Sequence, residues 1–536
     1  MSEKEKVAVN ILIDHFGNIV AQVVSYLLAK GPRSLRDLTA ETKLKLNEVR
    51  KGLLVAVQHG LVAVSERKGP GGSTTTIYTA SIEGVVQRQY IPQFIQFARR
   101  SFSTQSDLAE RVMEDVILNG HLSLSSVIQN ALEHPSNAHL SCEEIKSSTM
   151  DVFSTFVHKH LVCRSDGPKE DLYVLPRFDL KNFTKNAGEK RQHHSSNDDA
   201  PAAKRRNDAD QLSATNKQAL GELDGKEASS VDSDCCWKPD YSRLFKQLRN
   251  EAIVSMVVNT HDVAAGAVME TVLRLSELQD ETNSMTVAVS SFELFQALPS
   301  TPLLSRAELA LYLKLLCDGS TTAYLVKVGD NAGGTYCVQL DKCLDSMAEN
   351  AIVSLVQERF GSKCLRVFRL LLDKKHLEEK QIGDMAMIPS KEAQELMYRM
   401  LRSHFVTLQE VPRTPDHAPS RTFFLFSVNK EHVRQTCLKL AYKSLLHLQQ
   451  KRLSLEKEHR RLLDRQQQFE LQKAKILLSE SDGKDKEDDI ALLEEDLLPP
   501  ADKAMVKKLL CAFSRFDEGE VVLSSSLLCL SNFKLL

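Results

Sequence analysis

The sequence predicts a mainly α protein with small β wings: four tandem, extended winged-helix domains plus a C-terminal coiled coil. Three observations lead there. The first hundred residues run helix, short helix, helix, hairpin, which is the winged helix-turn-helix order. The tetrapeptide His59-Gly60-Leu61-Val62 returns as Lys159-His160-Leu161-Val162 and as Ser403-His404-Phe405-Val406, each time between an amphipathic helix and a strand. Finally, 430–482 contains no Gly or Pro, and Ala441, Leu448, Leu455, Leu462, Phe469 and Ile476 recur every seven residues within it.

Each element follows from local pattern. Over 7–29 the residues Val9, Leu12, Ile13, Phe16, Val20, Val23, Val24 and Leu27 form an i, i+3, i+4 stripe that Gly31-Pro32 stops. Ser34 caps a short helix with Leu35 and Leu38 inward. A turn at Thr42-Lys43 opens a third helix with Leu46, Val49, Leu53, Leu54 and Val57 inward. Strands at 61–64 and 74–79 then close a hairpin around Gly69-Pro70-Gly71-Gly72, completing a winged helix over 1–95. A second copy over 96–180 takes helices at 108–118, 124–131 and 143–158 and a return strand at 172–175. The stretch 181–238 has too few large apolar residues to offset ordering entropy and is predicted to be a disordered linker. A third copy spans 239–345, with helices at 244–258, 271–278 and 309–316. A fourth spans 346–429, with helices at 351–360, 363–372, 378–386 and 391–401 and a return strand at 422–428. The coiled coil covers 430–481, an acidic linker 482–502, and a helical segment 503–536 folds back on the long helix.

Composition narrows the function. Lys+Arg is 69 and Asp+Glu 71 in 536 residues, so a uniformly basic protein is excluded while local basic faces are not. The 11 cysteines never form a C-x-x-C pair and read as reduced thiols; no metal site is expected. The longest nearly apolar run, 19–29, is far short of the ~20 residues of a membrane span. With a charged N-terminus, that predicts a soluble intracellular protein. P-loop, zinc-protease, nucleophile-elbow and dinucleotide motifs are all missing, so no catalytic residue or cofactor is expected. The Gly-rich tip at 69–72 lies between strands, with no helix to aim at a phosphate.

Three residue sets carry functional readings. Residues 1–100 hold 14 basic and 8 acidic residues, and Lys43, Lys45, Arg50 and Lys51, with Arg67 and Lys68 on the wing, are candidate phosphate contacts for weak, non-specific DNA binding. Glu143 and Glu144 in the second copy, and Glu392 and Glu395 in the fourth, oppose a phosphate backbone. Lys190-Arg191 and Lys204-Arg205-Arg206, twelve residues apart, have the spacing of a bipartite nuclear import signal. The heptad residues Ala441, Leu448, Leu455, Leu462, Phe469 and Ile476 form a narrow partner seam. The polar Arg452, His459, Gln466 and Lys473 beside it argue against a homodimer and for a hetero-oligomer.

Several of these segments together resemble a known family. His15-Phe16-Gly17-Asn18-Ile19-Val20, the junction Val57-Gln58-His59-Gly60-Leu61-Val62, Glu114-Asp115-Val116-Ile117-Leu118-Asn119-Gly120, the junction at 401–406 and the terminal coiled coil are similar to the winged-helix subunit of RNA polymerase III. That subunit in turn resembles the alpha chain of general transcription factor IIE. The resemblance implies a nuclear, non-catalytic subunit of a heterotrimer on the polymerase clamp, with the active site in other subunits. Implied partners are a second winged-helix subunit, an acidic-tailed subunit and the clamp of the largest subunit. Promoter recruitment through TFIIIB, with opening of DNA for small-RNA synthesis, is the implied role. The IIE alpha chain carries a Cys₄ zinc ribbon; this sequence does not, so no zinc is expected. A winged-helix DNA-binding transcription regulator is the alternative, and a cullin-like scaffold a weaker one.

Overall fold

The computed structural model describes residues 2–68, 74–102, 105–133, 142–165, 235–277, 285–299, 304–318, 323–330, 333–412, 422–478, 490, 492–493, 497 and 499–533. The chain divides into two compact units, 8–248 and 249–536. Each unit holds two small antiparallel sheets, and all four sheets have the same strand order, with the last strand in the middle.

The first sheet is β1 (Arg33–Ser34), β3 (Thr74–Ala80) and β2 (Val62–Lys68), attached to helices Glu3–Lys30, Leu35–Thr42 and Leu46–Gln58. The expected cap is present: the Ser34 hydroxyl accepts from the Asp37 N–H at 3.4 Å, and the Asp37 carboxylate accepts from the Ser34 N–H at 3.3 Å. The helix Glu3–Lys30 is longer than its apolar run suggested. By length and composition it could cross a membrane, yet Leu12, Val20, Val23, Val24 and Leu27 are buried in the module's core. Gly17 interrupts it with φ 78°, a left-handed value that glycine adopts without steric penalty.

The recurring tetrapeptide is a helix C-cap. Leu61, Leu161 and Phe405 donate their N–H groups to the carbonyls of Ala56, Phe156 and Met400, five residues back, at 2.8–3.0 Å. The residues before them, Gly60, His160 and His404, have φ of 68°, 55° and 61°. This is the Schellman turn, and the apolar residue after the left-handed position is buried each time. A bonded helix end and a buried anchor thus launch each wing strand in a fixed direction.

The second module has helices Ser106–Asn119, Leu124–Glu133 and Cys142–His158. Its sheet is β4 (Leu122–Ser123), β6 (Cys236–Pro239) and β5 (Val162–Arg164). Here the sequence reading is corrected. Residues 172–175, expected to be the return strand, lie outside the described residues, and the central lane is taken by β6, inside the range assigned to the linker. Trp237 explains this: it is buried, pairs across to Leu122 and Arg164, and meets Phe153 edge-on at 5.5 Å. The second module therefore ends at Pro239, where the third was expected to begin.

The first two modules meet at a polar junction. Gln58 Nε2 donates to the Asn119 carbonyl at 3.0 Å, and His121 Nδ1 lies 2.7 Å from the Gln58 carbonyl. Buried Arg88 stacks over the Phe16 ring at 4.6 Å, and His59 meets the same ring at 4.9 Å. Burial, with the Arg88 charge second, pulls the His59 pKa down to about 3. Burial also lowers His15 and His121.

In the second unit, helices Val263–Ser276, Ser291–Ala297 and Arg306–Asp318 carry β7 (Val289–Ser290), β9 (Thr335–Val338) and β8 (Leu325–Gly329). Helices Ser362–Lys374, Glu379–Ala386 and Ser390–Arg402 carry β10 (His376–Glu378), β12 (Thr422–Ser427) and β11 (Thr407–Pro412). The boundary drawn at 345 falls inside the helix Leu340–Phe360, which contributes to both cores: Leu340, Leu344 and Met347 to the third module, Ile352, Val356 and Phe360 to the fourth. A continuous helix shared by two cores leaves no hinge there.

The long helix is two helices, Lys430–Glu458 and Arg460–Leu478, that change direction at His459 (φ −106°, ψ 18°). The helix Pro500–Leu530, which begins within the expected acidic linker, runs back along them. Arg452 pairs with Asp517 at 2.9 Å and Arg465 with Asp502 at 2.8 Å, so the pairing is antiparallel. At its far end Leu530 enters the fourth module's core, while Cys529 and Phe533 pack on the third's.

Candidate nucleic-acid interface

The helix Leu46–Gln58 seats Val49, Gly52, Leu53, Ala56 and Val57 inward. A Cβ on Gly52 would stand 3.6 Å from Ile19 and Val23, so the helix lies close against the first one. With that stripe inside, the 100° step per residue turns Arg50 and Lys51 to solvent. Lys45 stands at the helix start, its N–H donating to Glu48 Oε2 at 3.1 Å, and Lys43 caps the preceding helix with φ 55°. All four are exposed, and none holds an ion pair among the described residues. Glu48, the acidic side chain between Lys45 and Arg50, is engaged in the cap. Arg50 also lies close enough to Tyr78 of β3 to oppose the burial that raises that phenol's pKa, which links the helix face to the wing. Arg67 is exposed on the edge strand β2. Lys68 ends β2, and its side chain lies outside the described residues.

Two expectations need correction. Leu46 and Leu54, read as inward, are 44% and 39% exposed and border the basic residues. They sit at the margins of the stripe centred on Val49, Leu53 and Val57, where a heptad-style reading cannot separate edge from core. The partner seam is covered by the chain itself: Leu462 and Phe469 cluster with Val506 and Leu509, and Leu448 approaches Gly519 closely. Ala441 is buried, and Leu455 and Ile476 are half-buried. Arg452, read as a polar misfit in the seam, is met by Asp517 and Glu520 of the returning helix. Lys190, Arg191, Lys204, Arg205 and Arg206 lie outside the described residues.

The equivalent faces elsewhere differ. In the second module Glu143 and Glu144 open the helix and are exposed. In the fourth, Lys363 pairs with Glu392, Arg399 stacks over Phe360 at 5.7 Å, and Tyr398 is half exposed. Its wing exposes Leu408, Val411, Phe423 and Phe424. Sequence reasoning missed these aromatics, although the run Phe423-Phe424-Leu425-Phe426 has apolar residues on both faces of one strand. The third module has an apolar groove of about 410 Å³ lined by Phe292, Phe295, Leu309, Leu313 and Tyr336, with Arg306 stacked over both phenylalanines.

Comparison with known proteins places these features in a family. Residues 6–66 match the RNA polymerase III subunit RPC82 helix-turn-helix domain, 175–347 the RNA polymerase III subunit RPC82 family, and 352–428 the POLR3C C-terminal winged-helix domain. The human DNA-directed RNA polymerase III subunit RPC3 is 33% identical over 553 residues, covering 98% of this chain and 96% of the human protein. The chain belongs to the RPC3 family of RNA polymerase III subunits. RPC3 of Danio rerio is 32% identical over 98% of this chain and 96% of its own length. RPC3 of Dictyostelium discoideum is 24% identical, over 45% of this chain and 38% of its own length. Membership of the RPC3 family makes the chain a polymerase subunit, with other RNA polymerase III subunits as its partners, within a nuclear transcription machinery. The helix-turn-helix match ends at Glu66, so it takes in Lys43 through Lys51 and stops one residue before Arg67.

Proposed function

We propose that this chain is a non-catalytic peripheral subunit of RNA polymerase III, built as four tandem winged-helix domains with a C-terminal coiled coil. In this reading it works in the nucleus within a heterotrimer, beside the second winged-helix subunit, the acidic-tailed subunit and the clamp of the largest subunit. The heterotrimer supports promoter recruitment through TFIIIB and opening of DNA. Catalysis belongs to other subunits.

The observation that carries the reading is the uneven distribution of surface charge over a repeated frame. One module presents Lys43, Lys45, Arg50 and Lys51, exposed and without an ion pair among the described residues, which suit phosphate contact. The equivalent faces of the second and fourth modules present carboxylates and aromatic residues, which suit protein contact. Affinity purification of the tagged chain followed by mass spectrometry tests the assembly: the polymerase core should be recovered, and chromatin proteins alone would defeat the proposal. For import, Lys204→Ala, Arg205→Ala and Arg206→Ala together should shift the isolated chain towards the cytoplasm; unchanged nuclear signal without a co-imported partner would count against it.

A further inference from the structure

The helix Lys430–Glu458 and the start of the next one have two opposite faces. On the seam side Ala441 and Leu445 are buried, while Leu448 and Arg452 meet Gly519 and Asp517 of the helix Pro500–Leu530. On the other side Lys439, Lys443, His447, Gln450, Lys451, Ser454, Lys457 and Arg461 are all exposed. Up to Lys457, at 100° per residue, they fall within one broad stripe on the side away from the seam, about 27 Å long, and Arg461 follows beyond the turn at His459.

Five of those eight residues are lysine or arginine and none is acidic; Glu458 borders them. None of the five is hydrogen-bonded or ion-paired among the described residues. The face also has no apolar anchor: no exposed large hydrophobic residue lies between 425 and 470 among the described residues. Protein interfaces are depleted in lysine and rely on buried aromatic or aliphatic anchors, which the fourth wing has and this stripe lacks. A phosphodiester backbone needs only cations and polar groups. The stripe matches about eight base pairs of duplex, at about 3.4 Å of rise each.

We propose that this ridge is a second phosphate-backbone site, along which duplex DNA lies without sequence readout. It is separate from the basic face of the first module and does not depend on it.

The test uses the full chain and a 30-base-pair duplex of random sequence, with affinity measured over a range of salt. In a chain already carrying Lys45→Glu, Arg50→Glu and Lys51→Glu, the further changes Lys443→Glu, Lys451→Glu and Lys457→Glu should weaken the remaining binding at least tenfold and flatten its salt slope by about 2.7, at ~0.9 per phosphate contact. Arginine at the same three positions should bind like the parent. If the Glu variant fails to fold, glutamine at those positions should still flatten the slope. Unchanged duplex affinity and slope on adding the ridge changes to that chain would overturn the proposal. So would a loss confined to a 30-nucleotide single strand, or one seen only with polyglutamate as an acidic-polypeptide probe.

Discussion

The first and fourth modules share a strand order, a Schellman turn and a helix seated against the same three-stranded sheet, yet they offer solvent different chemistry. In the first, the outward face of Leu46–Gln58 carries Arg50 and Lys51, with Lys45 at its start. In the fourth, the outward face of Ser390–Arg402 carries Glu392 tied to Lys363, Arg399 held over an aromatic ring and Tyr398 open to solvent, beside a wing of exposed phenylalanines. The difference lies in residues at the surface of the fold, outside its shared frame of strands and turns. The frame sets position and direction, and what binds is decided by a handful of side chains on it.

Charge reversal should break the comparison most visibly. Lys45→Glu, Arg50→Glu and Lys51→Glu together should reduce affinity for any duplex by about two orders of magnitude at low salt and flatten the salt slope by about three. Lys391→Glu with Arg402→Glu in the fourth module should leave both nearly unchanged. A loss on one DNA sequence alone would restore the base-reading alternative. The reciprocal experiment alters the fourth wing. Phe423→Asp with Phe424→Asp should cost at least about 2 kcal/mol in co-assembly with polymerase subunits, as expected of interfacial aromatic anchors, with DNA affinity intact in titration.

Smaller effects separate the cores. Gly120, at the junction of the first two modules, has φ 74°, and a Cβ there would stand 2.9 Å from the Gln58 carbonyl. Gly120→Ala should therefore cost the N-terminal modules about 1–2 kcal/mol, read from thermal melting. Gly361, in the fourth module, also has a positive φ but open space around it, so its alanine variant should cost only the backbone part. Acid should distinguish the two regions last. His59, His15 and His121 have folded-state pKa values below their ordinary 6.5, so the unfolded chain binds their protons more readily. The stability they confer is complete above pH 6.5 and is lost as pH falls towards 3, the value for His59. His59→Gln should flatten that acid limb, measured by denaturation at stepped pH.

Much of this was legible in the residues. The Ser34 cap, the three-fold tetrapeptide and the return of the C-terminal segment onto the long helix all rest on local chemistry that survives translation into structure. β6 was not legible, because Cys236–Pro239 is too short and too mixed to announce itself, and its partner strands precede it by more than seventy residues. The bend at His459 has no Gly or Pro to mark it. The basic residues of the first module could be picked out from composition. The aromatic wing could not, because Phe423 to Phe426 read equally well as a buried strand.

That late strand also fixes where the chain returns. The Ser165 N–H donates to the Cys236 carbonyl at 2.8 Å, so two residues far apart in sequence are in contact. The central strand of the second sheet is thus held by its pairing with Leu122–Ser123 and Val162–Arg164, not by its neighbours in the chain. Residues 1–165 and 235–536 expressed as two separate chains should therefore still migrate as one particle in gel filtration, joined by the strand that Trp237 anchors.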